Sequence, residues 1–278
     1  MTTRIAYLGP TGTYTEEAAL KYDGEAVLVP FHSIPASIGA VDDDEADVAV
    51  APIEYSLEGA VTYTLDVLIH GSMLSIRDEI VLPIHHCLLA MKGTETQGIE
   101  TVYSHPQSLA QCRSYLEKNF PNADLVASLS NSTAVEEMKG DGATAAAIAG
   151  QRNAEIYDVE ILERNIEDNP NNVTRFVVLA RDDHERTGVD KTSLCFEFSD
   201  DSPGMLVTAL AEFSSRGINL NKIESRPTRK SLGRYIFLVD IDGHREDSDV
   251  RDALEALRRQ ASMVKIFGSY PRRVSSSI

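Results

Sequence analysis

The chain has 278 residues, 42% hydrophobic and 25% charged, and its 43 acidic and 26 basic side chains give a formal charge of −17. That length suits about two domains with cores of their own, and so acidic a balance disfavours nucleic-acid binding, which needs phosphate-neutralising Lys/Arg clusters. No run approaches the roughly 18 apolar residues of a membrane span, and Met1-Thr2-Thr3-Arg4-Ile5 enters a strand pattern at once, which argues for a cytoplasmic protein without a signal peptide.

Lysine is scarce, 8 residues against 18 arginines, and acids cluster in Asp42-Asp43-Asp44-Glu45 and Asp182-Asp183. High salt would screen the self-repulsion of such a surface, so the composition reads as halophilic, or else as ordinary acidic solubility. Cys87, Cys112 and Cys195 are odd in number and widely spaced, which fits reduced structural thiols.

The first 180 or so residues alternate short apolar runs with amphipathic stretches. Ile5–Leu8, Val48–Ala51, Thr101–Tyr103 and Ala145–Ile148 are the candidate strands. Helical patterns after several of them predict an α/β fold with largely parallel strands. Three junctions share a design. Gly9-Pro10-Thr11-Gly12-Thr13-Tyr14-Thr15 precedes the helical Glu16–Leu20, Ser104-His105-Pro106-Gln107 precedes Leu109–Cys112, and Asn131-Ser132-Thr133-Ala134 precedes Val135–Met138. In each, a hydroxyl or amide can cap a helix whose first N–H groups lack partners, and such ends attract anions. Any one of them reads equally as routine capping. The glycines near Gly9 lack the dinucleotide fingerprint and the phosphate-loop lysine, so no nucleotide is implied.

Between the first two junctions, Pro52 closes a strand, polar residues crowd Glu54–Glu58, and a helix is expected near Thr62 or Thr64. His85 and His86 are neighbours, so on a strand they face opposite ways and cannot chelate one metal. They read as core or surface histidines, and no Cys/His/Asp cluster has metal-ligand spacing. Next, Asn172-Val173-Thr174-Arg175 runs straight into the apolar Phe176–Leu179. A hydroxyl and a guanidinium thus stand side by side at a strand start, which suits a small anionic substrate that must lose an oxygen. Thr174 taken alone could equally be an ordinary strand-start residue.

The charged, aperiodic stretch after Arg181 reads as a linker over 182–190, dividing a domain at 1–181 from one at 191–278. Strand Thr192–Phe198 leads through Asp201-Ser202-Pro203-Gly204 to a helix with Leu206, Leu210 and Phe213 at helical spacing, which Gly217 ends. Strand Ile218–Arg226, a turn at Ser231-Leu232-Gly233, strand Tyr235–Ile241, helix Val250–Gln260 and strand Val264–Gly268 follow. The order is βαββαβ, the ferredoxin-like pattern. About 85 residues with one apolar sheet face make a marginal free unit, which predicts pairing with a second copy.

Together these segments resemble prephenate dehydratase along nearly the whole chain. Tyr7–Thr15, Pro52-Ile53-Glu54 with Ser56, Gly59 and Val61, His105–Gln111, Asn131–Ala134, and Asn172 with Thr174-Arg175-Phe176 look like that family's signatures. The tail resembles its regulatory ACT domain at Pro203–Leu206, Asn219-Leu220 and Glu224–Pro227. The resemblance implies a two-lobed, periplasmic-binding-protein-like catalytic domain with a cleft, followed by the ferredoxin-like ACT domain. The resemblance also implies a chain that begins at the dehydratase module, without the chorismate mutase that some relatives carry. The implied reaction is the cofactor-free decarboxylative dehydration of prephenate to phenylpyruvate, with Thr174 assisting the departing oxygen. Arg175, Phe176, Glu54, Ser56, Ser104, Gln107, Ser132, Thr133 and Thr11 would line the substrate. L-Phenylalanine would act as feedback inhibitor at Pro203, Gly204, Met205, Leu206, Asn219, Leu220, Glu224, Ser225 and Arg226, in a homodimer or homotetramer joined through the ACT domains. One departure stands out, because Tyr55 occupies a loop position where the family usually has Asn. An arogenate dehydratase, or a non-catalytic binder of small anions, would share the same features.

Overall fold

The computed structural model describes residues 2–200, 202–228 and 233–273, so Asp201, Ser231, Leu232 and the last residues of the expected second domain lie outside the described residues. Strands β1 (Arg4–Leu8), β2 (Val27–Phe31) and β3 (Val48–Tyr55) are joined by helices α1 (Tyr14–Tyr22) and α2 (Ile34–Asp42). β1 lies parallel to both neighbours, the arrangement a helical crossover imposes. Its Ile5, Ala6 and Tyr7 are buried in succession, because helices cover one face of the sheet and further chain covers the other. A two-residue strand β4 (Gly59–Ala60) and helix α3 (Thr62–Asp66), at the place the sequence indicates, lead to β5 (Ser75–Pro83).

The chain then crosses into a second lobe. Here β6 (Cys87–Ala90), β7 (Thr101–Ser104), α4 (Pro106–Gln111), α5 (Arg113–Asn119), β8 (Asp124–Ala127), α6 (Asn131–Asp141), β9 (Ala145–Ala149), α7 (Arg152–Tyr157) and β10 (Glu160–Arg164) build a sheet of order β10-β6-β9-β7-β8. β11 (Val173–Ala180) returns to the first lobe and slots between β3 and β5, giving β2-β1-β3-β11-β5 with β4 beside β3. The expectation of largely parallel strands is corrected: both sheets are mixed. β11 is antiparallel to β3 and β5, and β6 is antiparallel to β9 and β10. Strands that arrive directly from the other lobe have no helical crossover to turn them round.

The last domain holds β12 (Asp190–Glu197), α8 (Met205–Ser214), β13 (Leu220–Pro227), β14 (Tyr235–Asp242), α9 (Ser248–Gln260) and β15 (Met263–Pro271), in the expected βαββαβ order. Its antiparallel sheet runs β13-β14-β12-β15. Asp190 lies inside β12, and its carboxylate accepts the Thr187 and Gly188 N–H groups, so the connection is tied down at its end. One sheet face packs Phe196 and Val239 against Phe213, Leu254 and Leu257 of the two helices. The other face contributes Cys195, Ile236, Leu238, Phe267 and Tyr270 to a core shared with Leu74, Ile76, Val177 and Leu179 of the first lobe. The apolar sheet face from which pairing with a second copy was expected is therefore covered within the chain itself. Gly268 makes this contact possible. It sits at φ 151°, and a Cβ there would lie 2.2 Å from the Ile76 carbonyl oxygen. No helix among the described residues is long and apolar enough to cross a membrane.

Candidate active site

A cleft of about 830 Å³ opens between the two lobes, and all three helix starts singled out in the sequence border it. Thr13 caps α1 by accepting the Glu16 N–H (3.3 Å), the His105 ring caps α4 through Gln107 N (3.3 Å), and Ser130 caps α6 through Thr133 N (3.0 Å). The caps thus fall on Thr13, His105 and Ser130, while Thr11, Gln107 and Thr133 face the cleft beside them. Ser104 and Ser132, expected at the substrate, do not line it. Ser104 is buried and donates to the Ile148 carbonyl (2.8 Å). Ser132 is packed against Gly12, where a Cβ would come within 2.8 Å of its Oγ. Gly12, at φ 89°, is also held by Asn153 Nδ2 from the second lobe (2.8 Å), so a side chain there would push the lobes apart.

The floor of the cleft is β11. Opposite it, β3 carries a bulge: Thr174 pairs with Tyr55 and Arg175 with Glu54, but Phe176 pairs with Pro52, leaving Ile53 unmatched. A proline cannot donate to the ladder, so the irregularity falls where the sequence places Pro52, and bulges of this kind re-aim side chains. Thr174 and Phe176 line the cleft. Arg175, between them, points to the opposite face, as strand alternation requires. Its guanidinium meets Glu54 (3.1 Å), Glu79 (3.2 Å) and Asp240 (2.9 Å). Burial works against this charge, but the carboxylates of Asp240, Glu79 and Glu54 outweigh it and hold the guanidinium protonated. Both Arg175 and Glu54 are therefore removed from the expected substrate contacts, because they neutralise each other behind the cleft. Ser56 is also off the cleft. It ties the turn to β11 by exchanging two hydrogen bonds with the backbone of Val173 (2.9 Å each).

No lysine or arginine is found among the described residues that line the cleft. An anion would meet helix N–H groups, hydroxyls and amides instead. Two of the lining histidines are also uncharged at neutral pH. Burial pushes His86 below its ordinary value despite the opposing bond to Gln111, and burial alone lowers His105.

His86 is a cleft residue that the sequence reading left as structural. Its Nδ1 lies 2.9 Å from the Tyr14 hydroxyl and its Nε2 2.8 Å from Gln111 Oε1, which also accepts from Asn172 Nδ2 (3.0 Å). His85 faces outward and pairs with Glu167 (2.7 Å), so the two neighbours do point apart. Tyr14, His86, Gln111 and Asn172 form one polar chain that joins both lobes and both crossovers. Glu58, on the loop after Tyr55, reaches across to accept from the side-chain amides of Gln107 and Gln111. Tyr55 itself lines the cleft, and burial, with Glu58 nearby, keeps its phenol protonated. The three cysteines are buried and free, and burial pushes Cys195 up to about 12.

A second, smaller cavity of about 170 Å³ lies in the last domain between the start of α8 and β14. Gly204, Met205 and Leu206 line it with Phe198, Tyr235 and Phe237, and Pro203 immediately precedes them. The other residues expected at the effector lie elsewhere. Asn219 and Ser225 are exposed, and Leu220 packs against the helix-side core. Glu224 joins Lys222 (3.4 Å), which also pairs with Glu54 (3.2 Å), and Arg226 meets Asp66 (3.5 Å). On β13 alternate residues face the first lobe, where Lys222 and Arg226 find partners, while Glu224 pairs with Lys222 of its own strand.

Comparison with known proteins gives a consistent picture. The profile of the prephenate dehydratase family matches residues 5–184, and that of the ACT domain matches residues 198–259. A bifunctional chorismate mutase/prephenate dehydratase of Neisseria gonorrhoeae is 43% identical over 272 residues, covering 97% of this chain and 75% of that protein. The prephenate dehydratase of Mycobacterium tuberculosis is 39% identical over 280 residues, covering 96% and 87%. The crystal structure of prephenate dehydratase in complex with L-Phe from Arthrobacter aurescens superposes with a TM-score of 0.89 at 40% identity, covering 97% of this chain and 90% of that one. The halophilic reading of the surface charge finds no support in these relatives.

Proposed function

The chain belongs to the prephenate dehydratase family, and we infer that its cleft turns prephenate into phenylpyruvate with Thr174 assisting the departing oxygen. The activity is that of a carbon–oxygen lyase in phenylalanine biosynthesis. In the reaction the ring carboxylate leaves as CO2, and its bonding electrons enter the ring. The ring C–O bond breaks, and the departing hydroxide takes a proton to become water. Aromaticity drives the change, so the leaving oxygen is the difficulty. A donor held against it as charge grows contributes roughly 10²–10⁴-fold.

The observation that carries this role is the place of Thr174 on the cleft floor, facing the three helix starts of both lobes. Its hydroxyl is too weak an acid to release a proton freely, so it acts by hydrogen bonding or by passing on a proton as the bond breaks. Gln107, Thr133 and Thr11, with Gln111 and Asn172, are assigned to the two carboxylates. Neutral donors and helix dipoles suit this task in a protein of charge −17, because they attract an anion without a desolvated cation. Tyr55 supplies a hydroxyl where the family has an amide.

L-Phenylalanine is assigned to the cavity beside Gly204, where Met205 N–H donates to the Ser202 carbonyl (3.3 Å) but no side chain caps the start of α8. A second copy would dock on the outward face, where Val207 and Ile223 are exposed, in a homodimer or homotetramer. The test is to follow phenylpyruvate formation from prephenate, with and without L-phenylalanine and with arogenate alongside. Turnover of prephenate that L-phenylalanine suppresses is expected. Turnover of arogenate alone would refute the substrate assignment.

A further inference from the structure

We propose that Arg175 and Asp240 are a positioning pair, in which Asp240 of the regulatory sheet holds Arg175 and thereby sets where Thr174 stands in the cleft. This rests on the assignment of Thr174 made above. Thr174 and Arg175 are consecutive on β11, one facing the cleft and the other facing the last domain. Neither can move far without the other, because the strand is hydrogen-bonded on both edges.

Three carboxylates from three strands hold the guanidinium, and of these Asp240 alone belongs to the last domain. Across this interface the last domain otherwise gives bases to acids. Lys191 meets Glu79 (2.8 Å), Lys222 meets Glu54 (3.2 Å) and Arg273 meets Asp78 (2.5 Å). Among the described residues, Arg175–Asp240 is the ion pair of reversed polarity there. Asp240 also follows Ile236 and Leu238 on the strand face turned to the shared core, where it is buried. A buried acid in such a place is costly unless it is paired, which argues for a role beyond packing. Its orientation is fixed, because Ser193 Oγ donates to Oδ1 (2.5 Å) and lies 2.6 Å from the Tyr270 hydroxyl.

β14 carries the connection further. Phe237, three residues before Asp240, lines the cavity beside Gly204, while Asp240 faces the other way. One strand therefore borders the effector cavity on one face and grips the catalytic strand from the other. A ligand that shifts β14 must shift Asp240, and Arg175 with it.

Asp240→Asn removes the charge and keeps the shape. The variant should lose about tenfold or more in kcat, less than the roughly 100-fold a full 1 Å misplacement can cost because Glu54 and Glu79 still hold Arg175, with KM changed less than about threefold. L-Phenylalanine should still bind, by calorimetry, while its inhibition weakens about fivefold or more. Amide exchange in β11 should quicken about tenfold. That readout needs no substrate, so it tests the pair even if the cleft proved to run another reaction. A lower melting temperature with kcat, phenylalanine inhibition and β11 exchange all as in the wild type would overturn the proposal. Should Asp240→Asn fail to fold, Ser193→Ala loosens Asp240 without removing it and should give the same directions at about threefold. No change in that variant would overturn the proposal equally.

Discussion

Replacing Gly268 with alanine places a methyl carbon 2.2 Å from the carbonyl oxygen and 2.7 Å from the nitrogen of Ile76, both backbone atoms of β5. Ordinary contact needs more than a further ångström, and neither atom can rotate away. β15 must therefore back off from the first lobe and open the core that Phe267 and Tyr270 share with Ile76 and Leu179. Overpacking of this kind costs about 1–3 kcal/mol. Forcing alanine to φ 151° adds about 1–3 kcal/mol of backbone strain. A loss of about 2–6 kcal/mol is expected, which lowers the melting temperature by roughly 5–20 °C for a chain of this size. Thermal unfolding followed by circular dichroism is the assay, with amide exchange at Ile76 as a local reporter. A melting temperature within about 2 °C of the wild type would show that the last domain is not seated on β5 as described.

Two further outcomes follow from the cleft and the second cavity. Burial holds the folded pKa of His86 and of His105 below the ordinary value, so the native state binds fewer protons than the unfolded chain just below about pH 6.5. Stability should be full above that pH and fall as pH drops through it. His86→Gln should flatten the fall between about pH 7.5 and 5.5 in melting experiments, and an identical pH profile in the variant would contradict it. Gly204→Leu forces a branched side chain to φ 88° at the mouth of the second cavity. It should abolish the L-phenylalanine response and keep basal turnover, and a response of wild-type strength would misplace the effector.

Local pattern carried most of the fold. The apolar runs of β1, β7 and β9 and the amphipathic α9 were legible because hydrophobic periodicity is a local property, and the βαββαβ order followed from it. The three cleft-facing helix starts were legible for the same reason, since hydroxyls and amides at strand-to-helix junctions announce themselves within a few residues. What failed was everything that depends on distant partners. Arg175 has the chemistry of a carboxylate clamp, and it does clamp carboxylates, but they are Glu54, Glu79 and Asp240 of its own chain. The partners of Glu224 and Arg226 were not legible either, because which face of β13 meets the first lobe is fixed by docking of the whole domain. His86 was passed over since its place in the cleft comes from the crossover between lobes. The pairing of His86 with Tyr14 and Gln111 leaves no mark near it in the sequence. The mixed sheets were missed because β6 and β11 arrive from the opposite lobe.

The most direct measurement compares Thr174→Val with the wild type, in steady-state turnover of prephenate and in binding of prephenate or an inert dicarboxylate analogue. Valine keeps the shape of threonine and removes only the hydroxyl. The predicted result is a fall of about 10²-fold or more in kcat, with affinity changed less than about threefold. Turnover within about threefold of the wild type would remove Thr174 from the chemistry and contradict the assignment of the cleft.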